Sequence, residues 1–447
     1  MPSLRLLLVS VSLGASLAGG AQAQSLSQLL EQARGYDAAW QSARAQLDAS
    51  VSRAGQARAG LLPSAALSGG VQRTLNHIST AAAPAIDQNQ TMQTLGVNAA
   101  QPLYRPANRI ALQQGLRGVD VAQAQLDAAT QDLLVRVSQA YFDVLAAQDT
   151  LAFVQAQKTA VSEQLAAAQR NFEVGTSTIT DSREAQARYD LITAQEIAAQ
   201  NDLRVKQLAL DQTTGTSGTQ PLPLAQPVPL SGVQPDNVAD WVLRAQDSQP
   251  LVRQAAIAVD IAELETRKAE TGHLPTIDLQ AGYNIQRAPN GTATLPNINT
   301  RAHSASVGVA LNLPLFAGFA VQNRVKETLA LEEKARADLE NLRRSVAQNT
   351  RAAFYGVQSG MGQVQALEAA EASSLSALEA NQLGYQVGVR INIDVLNAQS
   401  QLFQTRRDLA QARYNVLLGT LKLRQAAGTL QEADVQAIDA LLIKNTP

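Results

Sequence analysis

The chain has 447 residues, a net charge of −2 from 36 basic and 38 acidic side chains, and no cysteine. The charge gives no support for a nucleic-acid partner, and the lack of cysteine excludes disulfides and a lipid anchor on an N-terminal cysteine. Apolar residues make up 45% of the chain but aromatic residues only 4%, a composition that favours long helices packed side by side over a compact globule.

The first 24 residues have the pattern of a secretory signal peptide. Arg5 gives a positive start, Leu6 to Ala18 is mostly apolar, and Ala21-Gln22-Ala23 fits a small-x-small cleavage site. We therefore expect residues 1–24 to be a signal peptide and the protein to be exported. The apolar part is too short to span a bilayer, and no later window holds the ~18 apolar residues that a spanning helix needs.

A helix, two strands and two further helices are predicted next. Few helix breakers occur before Gly60 and Pro63, which indicates one helix over residues 25–60. The remaining elements are strands at 64–73 and 92–101 around a polar loop at 77–90, a helix over 107–172 without proline, a turn near Gly175, and a helix over 181–211. The long helix would extend roughly 100 Å, more than an ordinary globular domain requires.

A proline-rich connector and a second, similar set of elements complete the chain. Residues 213–236 contain five prolines and indicate a linker. A helix at 238–271, strands at 276–286 and 304–313, and helices from Ala320 onward follow. In the last helix, large apolar residues recur every seven positions and smaller residues follow three positions later, which predicts coiled-coil packing at close approach. The two sets are Leu402, Leu409, Val416 and Leu423, and Thr405, Ala412, Gly419 and Ala426.

The two halves are copies of one unit. Leu62-Pro63 recurs as Leu274-Pro275, 212 residues later, and NFEVGTSTITD at 171–181 recurs as GYQVGVRINID at 384–394, an offset of 213. Such self-similarity predicts one structural unit used twice. We divide the chain into a signal peptide (1–24), a first repeat (25–212), a connector (213–236), a second repeat (237–430) and a C-terminal tail (431–447).

Four strands per chain cannot close a membrane barrel, which takes at least eight. Closure would require strands from several chains, and strand counting alone allows a dimer with eight strands as well as larger rings. The helices would then form a tube of their own below the barrel.

Several motifs, in order and in both copies, resemble the family of TolC outer-membrane efflux ducts. They are the Leu-Pro strand openings, QPLYRPAN, SQAYFDVLAAQDTLAF, VGTSTITDSREAQARYD, GHLPTIDL, LNLPLFAGF and GYQVGVRINIDVLNAQ. The resemblance runs from about Ser25 to the end. It implies a mainly α chain with a β-barrel part, assembled as a homotrimer: a twelve-stranded barrel in outer-membrane lipid, continued by a twelve-helix periplasmic α-barrel.

The same resemblance implies an exit duct of tripartite efflux or type I secretion systems. Its partners would be a periplasmic adaptor and an inner-membrane pump, and its cargo drugs, other small molecules and possibly proteins. A soluble periplasmic coiled-coil adaptor or structural protein is the alternative. An enzyme is not expected, because His77, His273 and His303 show no metal-ligand spacing and no nucleophile or phosphate-binding motif occurs. No catalytic residue, cofactor or metal is predicted.

The copies differ at their second helix-to-helix turn, where the resemblance places a gate. Asp181 matches Asp394, but Ser177 is replaced by Arg390 and Phe172 by Tyr385. The added cation and hydroxyl could form charge-assisted hydrogen bonds with the acids. The resemblance implies that a network of side chains closes the periplasmic entrance. It also implies that two positions face the lumen of the entrance with acids, and the second of these positions has an asparagine here. The network residues are Gln164, Thr180, Asp181, Tyr385 and Arg390, and the lumen positions are Asp394 and Asn397.

Overall fold

The computed structural model describes residues 24–81, 83–225, 228–230, 232–292, 295 and 298–443. The predicted signal peptide therefore lies outside the described residues, except for Gln24. In the part of the chain described, no helix is both long enough and apolar enough to cross a membrane.

The first repeat contains four helices and two strands. They are α1 (Leu26–Tyr36), α2 (Ala38–Ala59), β1 (Ser64–Thr80), β2 (Ala83–Tyr104), α3 (Pro106–Glu173) and α4 (Ile179–Thr214). The single helix predicted over 25–60 is wrong, because it is interrupted at Asp37. The Asp37 carboxylate accepts a hydrogen bond from the Trp40 N–H and so caps the start of α2.

The second repeat has the same order of elements. They are α5 (Val238–Ser248), α6 (Pro250–Glu270), a 3-10 turn (Thr271–His273), β3 (Thr276–Ala288), β4 (Thr300–Asn312), α7 (Ala320–Gln386) and α8 (Asn392–Ala426), with α9 (Glu432–Asp439) in the C-terminal tail. The predicted helix over 238–271 is also two helices. Pro250 has no N–H to continue α5, and the Gln249 side chain caps α6 instead.

The long helices match their predicted positions within a few residues. Helices α3 and α7 have 68 and 67 residues and each extends about 100 Å. Helix α3 pairs with α4 and α7 pairs with α8, and α8 also packs against α3. The four helices therefore lie in the order α4, α3, α8, α7, with the two repeats joined by the contact between α3 and α8.

The heptad pattern of α8 is confirmed as the seam with α7. Its large members, Leu402, Leu409, Val416 and Leu423, are all buried. The helices come close because glycines alternate with valines across the seam. A Cβ atom at Gly419 would lie 3.2 Å from Val357, and one at Gly360 would lie 3.0 Å from Val416.

The strands form one antiparallel sheet in the order β1-β2-β3-β4. The predicted loop at 77–90 is wrong, since most of it belongs to the hairpin formed by β1 and β2. Pairing continues through Thr74 with Gln90 and His77 with Asp87. The polar side chains are typical of a loop, but main-chain hydrogen bonds hold the ladder, and polar residues form these equally well.

The register gives the sheet one apolar and one polar face. Leu67, Val97 and Tyr283 stand in one row across β1, β2 and β3, whereas the adjacent row is Ser68, Gly96, Asn284 and Ser304. The alternation is weak along a single strand and becomes evident only across the paired rows. Leu67 and Val307, near the two sheet edges, are 72% and 78% exposed, so within the described chain nothing covers this apolar face.

The main core lies where the two repeats meet. The Phe142 ring of α3 lies 5.8 Å from both the Tyr141 ring and the Tyr414 ring of α8. Helices α1 and α9 cover this cluster through Leu26, Leu29, Val435 and Ile438. The tips of the four long helices lie beyond this cluster, at the end away from the sheet.

Candidate functional site at the helical tips

The two helix-to-helix turns have the same backbone geometry. Gly175 follows α3 and Gly388 follows α7, and both have φ of 78°. This left-handed conformation ends a helix and favours glycine, which has no Cβ to clash with the backbone. Differences between the two tips therefore arise from side chains.

At the first tip, Asp181 caps its own helix. Its Oδ2 accepts hydrogen bonds from Ser177 Oγ at 2.8 Å, the Thr178 N–H at 3.1 Å and Thr178 Oγ1 at 2.9 Å, in a capping box at the start of α4. Partial burial acts to raise the pKa of Asp181, but these hydrogen bonds outweigh it and hold the pKa below its usual value. The carboxylate is therefore charged, and all three donors use one of its two oxygens.

At the second tip, the cap is missing. Ile391 occupies the position of Thr178 and makes no side-chain cap for α8. Asp394 lies instead 3.7 Å from the Arg390 guanidinium. Arg390 folds back over Gly384, where a Cβ would lie 2.7 Å from Arg390 Cγ. The change of Ser177-Thr178 to Arg390-Ile391 thus converts a self-capped acid into an acid paired with an exposed cation.

The predicted gate residues all lie at these tips, but they do not form one network within the chain. Within the chain, Arg390 contacts Asp394 and not Asp181. The Tyr385 hydroxyl accepts from Asn171 at 3.5 Å, a long contact. Thr180 is exposed. Links from Arg390 and Tyr385 to Asp181 therefore stay predictions about contacts between chains.

Gln164 forms a link that joins α3 to α8. Its Nε2 donates to Asn392 Oδ1, and one to two turns away Gln157 donates to Ser400 at 3.2 Å. The amide nitrogen of Asn392 is buried and bonds to no other described protein atom. The contact between α3 and α8 is thus polar and incompletely satisfied near the tip.

An apolar contact lies between these polar links. Leu396 of α8 is fully buried in the groove between α3 and α4. Its neighbours are Val154, Val161, Ala168, Ala185 and Ile192. The end of α8 is therefore docked on the hairpin of the first repeat.

Arg188 was not predicted from the sequence. This residue of α4 donates from its guanidinium to Asn397 Oδ1 at 2.7 Å. A comparison of the copies contained a signal for it, because the offset of 213 places Gln401 opposite Arg188 and Glu184 opposite Asn397. The pair is thus present once per chain. The amide at the second predicted lumen position, Asn397, is thus already bonded to a cation.

The tips have no features of a metal or cofactor site. Nowhere among the residues that the structure describes do three or more His, Asp or Glu side chains converge as metal ligands. The crevice between α3, α4 and α8 has a volume of only about 190 Å³ and is lined by Gln157, Arg188, Ser400 and Arg407 among others. The chemistry of the site is hydrogen bonding and charge pairing between helices.

Comparison with known proteins agrees with this architecture. The family model described as outer membrane efflux protein matches residues 29–216 and 241–429. The chain is 34% identical to outer membrane protein TolC of Vibrio cholerae, over 98% of both chains. It is 31% identical to the proteases secretion protein PrtF of Dickeya chrysanthemi, over 95% of this chain and 93% of that protein.

A solved structure supports the fold. The Campylobacter jejuni CmeC outer membrane channel superimposes with a TM-score of 0.79 at 15% identity, over 100% of this chain and 99% of that one. The resemblance inferred from the motifs is confirmed.

Proposed function

The chain belongs to the outer membrane efflux protein family, and we propose that three copies form an exit duct from the periplasm through the outer membrane. The duct serves tripartite efflux of drugs and small molecules or type I secretion of proteins, with a periplasmic adaptor and an inner-membrane pump as partners. We assign it no catalytic activity. The two repeats, 25–212 and 237–430, act as equivalent parts of the wall, connected by residues 213–236.

The sheet is the observation that carries this proposal. Its apolar face is exposed, with Leu67, Val71 and Leu75 on β1 and Val307 and Val309 on β4 all more than half exposed. Strands β1 and β4 each have one partner within the chain. A sheet edge with unpaired N–H and C=O groups is not tolerated in lipid. The β4 edge of one copy must therefore pair with the β1 edge of the next until the sheet closes.

Assembly and export are tested together. Light scattering of the detergent-purified protein should give the protein mass of three chains, the number that the family resemblance implies, and not the mass of one, because a single chain has two free sheet edges. Cells without the gene should accumulate drugs or retain secreted proteins, and the wild-type gene should restore export. A stable detergent-bound monomer would contradict the closed barrel, and a mass of two chains would favour the eight-stranded alternative.

At the periplasmic end, we place the gate at contacts between neighbouring chains. Three donors crowd onto Asp181 Oδ2, and Asp181 Oδ1 bonds to nothing in the described part of the chain. Arg390 is 59% exposed at its side chain and meets only a weak partner. Arg390 and Tyr385 of a neighbouring chain supply donors that Asp181 Oδ1 can accept, and Thr180, next to Asp181, belongs to the same network. Gln164 holds α8 in place from within the chain.

The double substitution Arg390→Ser with Tyr385→Phe tests this gate, because it makes the second tip resemble the first. Hydrogen bonds to charged groups contribute about 1.5–3 kcal/mol each, less where water reaches them, so three copies bias the closed state by several kcal/mol. We expect a correctly assembled trimer with markedly raised single-channel conductance, and cells that admit large antibiotics such as vancomycin.

The matched control is Arg344→Ser with Tyr355→Phe, two exposed positions on α7 far from the tip. This control should assemble equally well and keep the wild-type conductance. Wild-type conductance in trimers of the gate variant would show that Arg390 and Tyr385 do not hold the entrance closed.

A further inference from the structure

The contact between Arg188 and Asn397 changes the charge expected at the entrance. Asp394 and Asn397 are three residues apart on α8, so they lie on the same face of the helix. Two guanidiniums reach this face: Arg390, 3.7 Å from Asp394, and Arg188, 2.7 Å from Asn397. This stripe of α8 therefore has one carboxylate and two cations per chain, and Asp181 adds a second carboxylate at the first tip. The charge at this face therefore differs from the family pattern both through the loss of an acid at position 397 and through the added Arg188.

The charge of Arg188 is not balanced by its partner, because that partner is a neutral amide. An amide oxygen fixes the direction of the guanidinium but cannot cancel its charge, as a carboxylate would. The position of Asn397 is itself fixed, because the preceding residue, Leu396, is fully buried against α3 and α4. The charge is consequently held in one place instead of moving with a flexible side chain.

We propose that Arg188 is a specificity-determining residue of the duct, which adds one positive charge per chain on the Asp394 face of the entrance and shifts solute preference away from cations and towards anions. The proposal rests on the proposed function and on the family resemblance, which implies that Asp394 and Asn397 face the lumen of the duct. A fixed charge in a narrow opening raises the local concentration of counter-ions and lowers that of like-charged ions. Three copies act on the same small volume, so their effects combine.

Ion selectivity tests the charge itself. Purified trimers in a planar bilayer under a KCl gradient give a reversal potential, from which the chloride-to-potassium permeability ratio follows. Arg188→Gln removes the charge but retains a hydrogen-bond donor for Asn397, and should lower this ratio by at least about fivefold, the effect on either ion alone of one unit charge about 4 Å away in water. An unchanged ratio would overturn the proposal.

Arg183→Gln is the matched control. Arg183 is exposed on α4, five residues before Arg188 and so about 140° away around the helix. The substitution Arg183→Gln removes the same charge from the same helix but leaves the contact with Asn397 intact, so the permeability ratio should stay at the wild-type value. A shift as large as that of Arg188→Gln would show that the effect comes from the total charge of α4, and the assignment to Arg188 would be wrong.

A double-mutant cycle tests the contact. In Asn397→Asp the new carboxylate cancels the charge of Arg188, so block of the conductance by the trivalent cation hexamminecobalt should strengthen, as it should in Arg188→Gln. The contact itself is read from the temperature at which the trimer dissociates: Asn397→Asp should lower it in the Arg188→Gln background but not in the wild type, where Arg188 pairs with the new carboxylate. The same change in both backgrounds would mean that the two side chains do not meet, against the proposal.

Asp394→Asn separates this proposal from the proposed function. This substitution should weaken hexamminecobalt block whatever Arg188 does. If Asp394→Asn weakens the block while Arg188→Gln leaves selectivity unchanged, only the assignment to Arg188 fails. If neither variant alters a conducting trimer, Asp394 and Asn397 do not face the lumen, and the Arg188 proposal fails while the proposed duct stands.

Discussion

Replacement of Leu396 by alanine should open the duct without disrupting its assembly. Leu396 has 0% exposure and is the α8 residue of the apolar cluster that docks this helix between α3 and α4. The polar links on either side of it, from Gln164 and Arg188, are hydrogen bonds between groups that water can satisfy equally well. The apolar contact is therefore the main attraction that holds the end of α8 on the first repeat.

The expected magnitude follows from the depth of burial. A leucine-to-alanine change at a fully buried site costs about 2–5 kcal/mol. Because each 1.4 kcal/mol is a factor of ten, the docked state of each α8 end would lose at least about 25-fold in population relative to the undocked state. The barrel is far away and the seam with α7 is untouched, so the trimer should still form.

Leu402→Ala provides a matched control on the same helix. Leu402 is 3% exposed and packs with Leu378 and Val395 on the α7 side, so its loss weakens the helix pair but not its docking on α3 and α4. In bilayer recordings, Leu396→Ala should raise the conductance and Leu402→Ala should not, although both lower the temperature at which the trimer dissociates. Equal conductance in the two variants would refute the view that Leu396 docks the entrance.

Two further predictions concern stability. The Tyr414 hydroxyl donates to Asp149 at 2.7 Å. Burial raises the pKa of Asp149, and this hydrogen bond partly opposes the rise. Because the folded state binds the proton more tightly, stability falls as pH rises from the ordinary carboxyl pKa through the raised one. Tyr414→Phe raises this pKa further. At neutral pH the variant should therefore lose about 1.5–3 kcal/mol of stability and dissociate at a lower temperature, whereas at acidic pH its dissociation temperature should recover. An equal loss at both pH values would exclude Asp149 as the cause. Gly428→Ala should prevent stable assembly on a native gel, because φ is 70° and a Cβ would lie 2.5 Å from the Gln249 nitrogen, whereas Gly362→Ala, with free space around it, should be tolerated.

The sequence predicted the fold well because its periodic signals are long. The uninterrupted helix over 107–172 is found at Pro106–Glu173, and the duplication fixed the second copy from the first. The breaks at Asp37 and at Gln249-Pro250 were missed because each depends on a single capping side chain. The sequence predicts a loop at 77–90 in place of the hairpin, because polar and apolar residues do not alternate regularly there.

The tip was harder to predict because its contacts join residues far apart in sequence. A comparison of the copies identified Asp181 and Arg390 as a break in symmetry, but it could not show that Asp181 caps its own helix. Arg188 and Asn397 are 209 residues apart, and no local pattern connects an arginine in one copy to an amide in the other. Only the docking of α8 on α4 brings them together.

The two sides of α8 differ in how firmly they attach this helix to its neighbours, α7 on one side and α3 and α4 on the other. Toward α7 it presents the buried apolar heptad of Leu402, Leu409, Val416 and Leu423. Separation there would expose apolar surface to water without relieving any unsatisfied polar group. Toward α3 and α4 it presents Asn392, Leu396 and Gln399, one stripe at helical spacing, in which the Asn392 amide nitrogen and the Gln399 amide oxygen are buried and bond to no described protein atom. Each such group costs about 1–3 kcal/mol while it is buried, and this cost disappears when the end of α8 moves into water. The unsatisfied amides therefore offset much of the attraction from Leu396, so that separating the end of α8 from the first repeat costs less free energy than separating it from α7.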